Sequence, residues 1–175
     1  MKSLYRSIIC LLMVSCGAIN VNYDYDKETD FSAYSTFGYF TDIETGLSQL
    51  DERRLMNAMD ATLQSKGLLF SEEPDMLINI QSTVLRGQSA NAVGVGLGGG
   101  GGAVGGGISV GIPVGGPNIT RQIIIDLVDA KKDMLIWQAV SESPFREGDS
   151  PAVKEKKMQE LVIKIFEKYP PKSRK

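Results

Sequence analysis

The chain has 175 residues, with 19 Lys and Arg, 21 Asp and Glu, two Cys and no His. That length suits one domain, and a net charge of −2 excludes the strongly basic surface that nucleic acid requires. Without His there is no Ser-His-Asp or Cys-His catalysis and no His-ligated metal site.

Lys2 and Arg6 precede a short apolar run from Ser7 to Val14. The run is far shorter than the ~20 residues a membrane-spanning helix needs and has the form of a secretory signal peptide. Leu12-Met13-Val14-Ser15-Cys16 resembles a bacterial lipobox, with Met13 where Leu is usual. Cleavage before Cys16 and acylation of its thiol are expected, with 1–15 as the leader. Cys10 is the rival acceptor, but too few apolar residues precede it. Loss of the leader leaves 17 basic and 21 acidic side chains, a net charge of −4. The one remaining thiol would carry lipid, which excludes a disulfide and a thiol nucleophile. Several acyl chains on one residue anchor a protein stably. Gly17 stands where an Asp retains lipoproteins at the inner membrane in some bacterial lineages, so the outer membrane is the expected location.

Residues 18–26 alternate Ile19, Val21, Tyr23 and Tyr25 with Asn20, Asn22, Asp24 and Asp26, the pattern of a half-buried strand. The alternation is expected to put Asp24 and Asp26 on one solvent face. A second short strand is expected over 35–40. Helix spacing runs over 48–66, with Ser48 as a cap and Leu55, Ala58, Met59, Thr62 and Leu63 on one stripe. Gly67 occupies the left-handed position that ends a helix. Strands follow over 75–86 and 119–129, and a fifth opens at Asp133 and continues through Val140; the last two form a hairpin. Ser150-Pro151 begins a second helix. Met158, Leu161, Val162, Ile165 and Phe166 form its apolar stripe, and Pro170-Pro171 ends it near 168. The basic tail Lys172-Ser173-Arg174-Lys175 reads as a solvated terminus.

Between 87 and 116, fourteen of thirty residues are Gly. Ordering so much Gly is entropically costly, so a long loop is expected. Its string Gly94-Val95-Gly96-Leu97-Gly98-Gly99 matches a dinucleotide fingerprint literally, but no helix former follows to meet a pyrophosphate. Gly107-Ile108-Ser109-Val110-Gly111 imitates a nucleophile elbow, yet the chain has no His to activate the serine. Asp24, Asp26, Glu28 and Asp30 suggest a calcium loop, but Thr29 and Ser35 stand where Gly and Glu are required. Asp126 and Asp129 lie on the hairpin with no evident pocket. No cofactor, metal or catalytic residue is assigned.

Several segments, in this order, resemble the DUF4136 family of bacterial envelope lipoproteins, which has no agreed activity. They are Asp30-Phe31-Ser32-Ala33-Tyr34-Ser35-Thr36-Phe37-Gly38-Tyr39, Leu63-Gln64-Ser65-Lys66-Gly67 and Pro74-Asp75-Met76-Leu77-Ile78. The Gly-rich insert follows, then Ile125-Asp126-Leu127-Val128-Asp129-Ala130, Leu135-Ile136-Trp137 and Ile165-Phe166-Glu167-Lys168-Tyr169-Pro170-Pro171. The resemblance implies a compact α+β domain on the periplasmic side of a membrane and supplies no catalytic residues. The residues themselves suggest structural roles: Trp137 as the core anchor of the hairpin, Asp129 and Asp133 at turns, and Phe31, Tyr34 and Phe37 packed around the second strand.

The expected architecture is α+β: an antiparallel sheet of about five strands, two helices packed on one face, and the hairpin 119–143 central. Residues 16–175 form a single domain with 87–116 as its Gly-rich loop. The expected function is a non-catalytic binding or assembly module, held to the membrane through Cys16 and meeting another envelope protein. The alternative is a hydrolase that works with carboxylates alone, marked by a deep cleft lined with two unpaired carboxylates.

Overall fold

A computed structural model describes residues 19–86, 92–93, 112–113 and 119–171 of the chain. The expected leader, Cys16, most of the Gly-rich tract and the basic tail lie outside the described residues.

Strand β1 (Asn20–Tyr25) is followed by a 3-10 turn (Phe31–Ala33) and β2 (Thr36–Tyr39). Helix α1 (Gln49–Ser65), β3 (Leu69–Phe70) and β4 (Met76–Arg86) come next. Short strands β5 (Ala92–Val93) and β6 (Ile112–Pro113) pair with each other inside the Gly-rich segment. Strands β7 (Ile119–Asp129) and β8 (Met134–Pro144) form the expected hairpin, and α2 (Pro151–Ile165) ends in a 3-10 turn (Phe166–Lys168).

The main sheet has six strands in the order β1-β8-β7-β4-β2-β3 and is mixed, where about five antiparallel strands were expected. β2 runs parallel to both β4 and β3. The cause is α1, which carries the chain back along the sheet, as a parallel crossover requires. The extra strand follows directly from the helix stop. Leu68 N–H donates to Leu63 O and Gly67 N–H to Gln64 O, with Gly67 at φ 89. This left-handed cap turns the chain straight into Leu69 and Phe70.

Burial alternates along the central strands. Met76, Ile78 and Ile80 of β4, Ile123, Ile125 and Leu127 of β7, and Trp137 and Ala139 of β8 are buried. Their register places Ile80 beside Ile125 and Ile125 beside Ala139, so they share one face. Leu55, Met59 and Leu63 of α1 and Leu161, Val162 and Ile165 of α2 join the same core. Trp137 is 1% exposed and stacks on Phe166 with ring centroids 5.5 Å apart, as expected of the hairpin's anchor. Tyr169 meets Trp137 edge-on, also at 5.5 Å, and burial pushes its hydroxyl pKa up to about 12.

The other sheet face is polar at its centre. Asp126 accepts from Gln138 Nε2 at 2.8 Å and from Asn79 Nδ2 at 3.4 Å, a ladder across β8, β7 and β4.

Candidate functional site

Four aspartates gather where β1, β4 and β7 meet their turns. Asp26, Asp30, Asp75 and Asp129, with Tyr34, Lys131 and Lys132, line a cleft of about 520 Å³. This corrects the expectation that Asp129 lies away from any pocket. It also separates Asp26 from Asp24: Asp24 is exposed on β1, whereas Asp26 turns into the cleft. The residues come from three separated stretches of chain, so only the fold brings them together.

Each carboxylate has a local job. Asp129 ends β7 and caps the hairpin turn, its Oδ1 accepting from Lys131 and Lys132 N–H at 2.9 Å each. Its Oδ2 accepts from Tyr34 Oη at 2.7 Å, and Lys132 Nζ lies 3.6 Å away. The Tyr34 hydroxyl, the turn amides and the Lys132 charge hold the Asp129 carboxyl at about 2. Burial first, and then the Asp129 charge, push the Tyr34 hydroxyl far up. Asp133 completes the turn at φ 52, its N–H donating to Asp129 O at 2.9 Å.

Asp75 pins β2 to the start of β4. Its Oδ2 accepts from Ser35 N–H and Oγ at 3.0 Å each, from Thr36 N–H at 3.1 Å and from Thr36 Oγ1 at 2.9 Å. Those donors, led by the Ser35 amide, hold it at about 2. Asp26 accepts from Thr29 Oγ1 at 2.6 Å and Glu28 N–H at 3.1 Å. Asp30 accepts from Ser32 Oγ at 2.7 Å and Ser32 N–H at 3.0 Å, capping the first 3-10 turn. The Thr29 and Ser32 hydroxyls, helped by the turn amides, hold both carboxyls below their ordinary range. Hydrogen bonds to the charged form are what lower a carboxylate's pKa.

A second polar cluster sits at the opposite end of the sheet. Arg121 lies in phase with the apolar residues of β7. Its Nη1 donates to Asp51 Oδ2 at 3.2 Å, and Arg54 Nη1 donates to Asp51 Oδ1 at 2.8 Å. The Arg121 guanidinium lies 3.7 Å over the Phe145 ring. Burial raises the Asp51 pKa, but the two arginines more than offset that and hold it below its ordinary value. The pairing of Asp51 with Arg121 was not expected from sequence. The available signals were Asp51 at helical spacing from buried Leu55, and a charge on the apolar phase of β7.

Among the described residues, no cluster of His, Cys, Asp or Glu has the geometry to hold a metal ion, and no helix is long and apolar enough to cross a membrane. The segments that carried the family resemblance converge on the cleft end. The Phe31 and Tyr169 ring centroids lie 5.9 Å apart, and Tyr34, from the same first segment as Phe31, bonds to Asp129 of the hairpin.

No curated protein matches the chain. Among solved structures, a PDZ domain protein from Parabacteroides distasonis is similar over 98% of this chain, with 14% identity and a TM-score of 0.58. This chain spans 41% of that protein, and the likeness shows a shared fold alone. The PelC dodecamer from Paraburkholderia phytofirmans aligns over 85% of this chain and 96% of its own, at 7% identity and a TM-score of 0.49. The DUF4136 family model, described as a domain of unknown function, matches residues 21–171, from β1 to the Pro170-Pro171 stop. The chain therefore belongs to the DUF4136 family.

Proposed function

We propose that the chain is an envelope lipoprotein acylated at Cys16, and that its domain is a non-catalytic binding or assembly module. The Lys2 and Arg6 charges, the short apolar run and Ser15-Cys16 support the anchor. The observation that carries the non-catalytic reading is the state of the cleft carboxylates. All four aspartates accept hydrogen bonds from turns or neighbouring strands, and all four have lowered pKa values. A carboxylate general acid needs a raised pKa, close to the working pH. Carboxylates already engaged by amides and hydroxyls hold the backbone and remain weak bases. The partner under this reading is another envelope protein.

Two measurements test the two halves. Cells fed a fatty-acid probe should label the wild-type chain and not Cys16→Ala; equal labelling removes the anchor. The purified chain should turn over none of a panel of ester, glycoside, phosphate and peptide substrates. Turnover abolished by Asp26→Asn, with the melting curve unchanged, would establish the carboxylate hydrolase instead.

A further inference from the structure

At the end of the sheet opposite the aspartate cleft, β7, β8 and the start of α2 enclose a second cavity of about 50 Å³. A single water needs roughly 10–15 Å³, so this space takes a group of a few heavy atoms. Ile123, Pro144, Phe145, Met158 and Leu161 make its walls largely apolar. Set into those walls are four cations, Arg121, Arg146, Lys154 and Lys157, against two acids, Asp51 and Asp149. The lining is net positive in a chain whose own net charge is −2.

Both acids are already engaged. Asp51 binds Arg54 and Arg121, and Asp149 binds Lys157. Lys154 is half-buried and acts on Asp51 through space. Neither Lys154 nor Arg146 has an ion-pair partner among the described residues.

One donor is also unmet. Arg121 Nε is buried and has no hydrogen-bond partner among the described residues, although Nη1 of the same guanidinium donates to Asp51. The Phe145 ring covers one face of that guanidinium, 3.7 Å from centroid to carbon, but an N–H donates in the guanidinium plane and not through its face. A buried donor without an acceptor is costly, and the cavity that Arg121 lines is the route by which an acceptor reaches it.

A neutral acceptor would meet the N–H and leave the surplus charge. A carboxylate meets both, because its oxygens suit a guanidinium edge and its charge answers Lys154. A short apolar substituent on it fits against Phe145 and Leu161. Phosphate brings more oxygens than such walls can satisfy.

We propose that this cavity binds the carboxylate of a small organic acid with a short apolar substituent. Arg121 Nε donates to it, and Lys154 and Arg146 supply the countercharge. The site is separate from the aspartate cleft and does not depend on acylation at Cys16.

The test follows the Arg121 Nε–H resonance of the purified full chain by proton–nitrogen NMR, identified by its Overhauser contact with the Phe145 ring. Titration with propionate should move that resonance along a saturable curve. Phosphate and chloride at the same ionic strength should leave it nearly in place. Lys154→Gln, which breaks no ion pair among the described residues, should weaken propionate binding several-fold with an unchanged melting curve. No shift with propionate, a shift that rises without saturating, or an equal or stronger response to chloride or phosphate overturns the proposal. So does a Lys154→Gln chain that binds propionate as tightly as the wild type. The titration on the unsubstituted chain is decisive whatever the variant's stability.

Discussion

The two ends of the sheet hold a carboxylate against the core in opposite ways. At the cleft end, Asp129 is satisfied by two turn amides and the Tyr34 hydroxyl, with the exposed Lys132 ammonium 3.6 Å away. At the opposite end, Asp51 is satisfied by two guanidiniums from α1 and β7. The amides belong to the turn that Asp129 itself caps, so any one donor can be lost while the rest persist. The guanidiniums are charges that themselves need an acid, so the loss of one member leaves another uncompensated. Redundancy marks the first arrangement and mutual dependence the second.

The largest expected loss comes from the aromatic cluster beneath the cleft. Trp137→Ala removes the ring that stacks on Phe166 and meets Tyr169 and Tyr23. It should cost roughly 3–5 kcal/mol in a denaturant titration. A near-wild-type midpoint would show that the cleft end stands without its aromatic support. Arg121→Met tests the mutual dependence at the other end. Breaking a buried pair costs about 3–5 kcal/mol, reduced here to about 2–4 kcal/mol because Arg54 still binds Asp51. The double variant with Asp51→Asn should recover part of that loss; strict additivity would mean that the two residues do not act together.

Tyr34→Phe tests the redundancy. Asp129 keeps both turn amides, so the loss should be about 1–2 kcal/mol, that of one hydrogen bond to a charged group. A loss as large as that of Arg121→Met would erase the distinction between the ends. The smallest and broadest effect is acid sensitivity. Asp75 and Asp129 have folded pKa values of about 2, against about 3.9 in an unfolded chain. Depressed folded pKa values give stability that is present above pH ~4 and is lost as pH falls through ~2. Melting temperatures measured through that window should fall, and Asp75→Asn should fall less steeply. An unchanged slope would show that the Asp75 carboxylate is not held by Ser35 and Thr36.

The elements that sequence reveals best are those whose burial follows one period. The alternation of β7 and the stripe of α2 match the structure closely, because every second strand residue and every third or fourth helix residue enters the same core. Ser48 and Ser150 cap their helices as expected, accepting from Asp51 and Val153 N–H. β3 was not legible: two exposed residues have no period, and they form a strand only because the Gly67 cap delivers them beside β2. The cleft was legible only in fragments. Asp75 and Tyr34 stood inside family segments, but nothing local tells that Asp75 will bond Ser35 and Thr36 forty residues upstream, or that Tyr34 will reach Asp129.

Sequence alone determined the α+β class, both helices and their caps, the β7–β8 hairpin, Trp137 as its anchor and the family. These rest on periodicity, capping chemistry and turn preference, which act over a few residues. Tertiary structure decided the parallel placement of β2, the sixth strand, the meeting of four aspartates in one cleft and the joining of Asp51 to Arg121. Each depends on which segments become neighbours after α1 crosses back over the sheet. That choice is made by the burial of a shared apolar face, a free energy that belongs to the whole assembly and is written in no single segment.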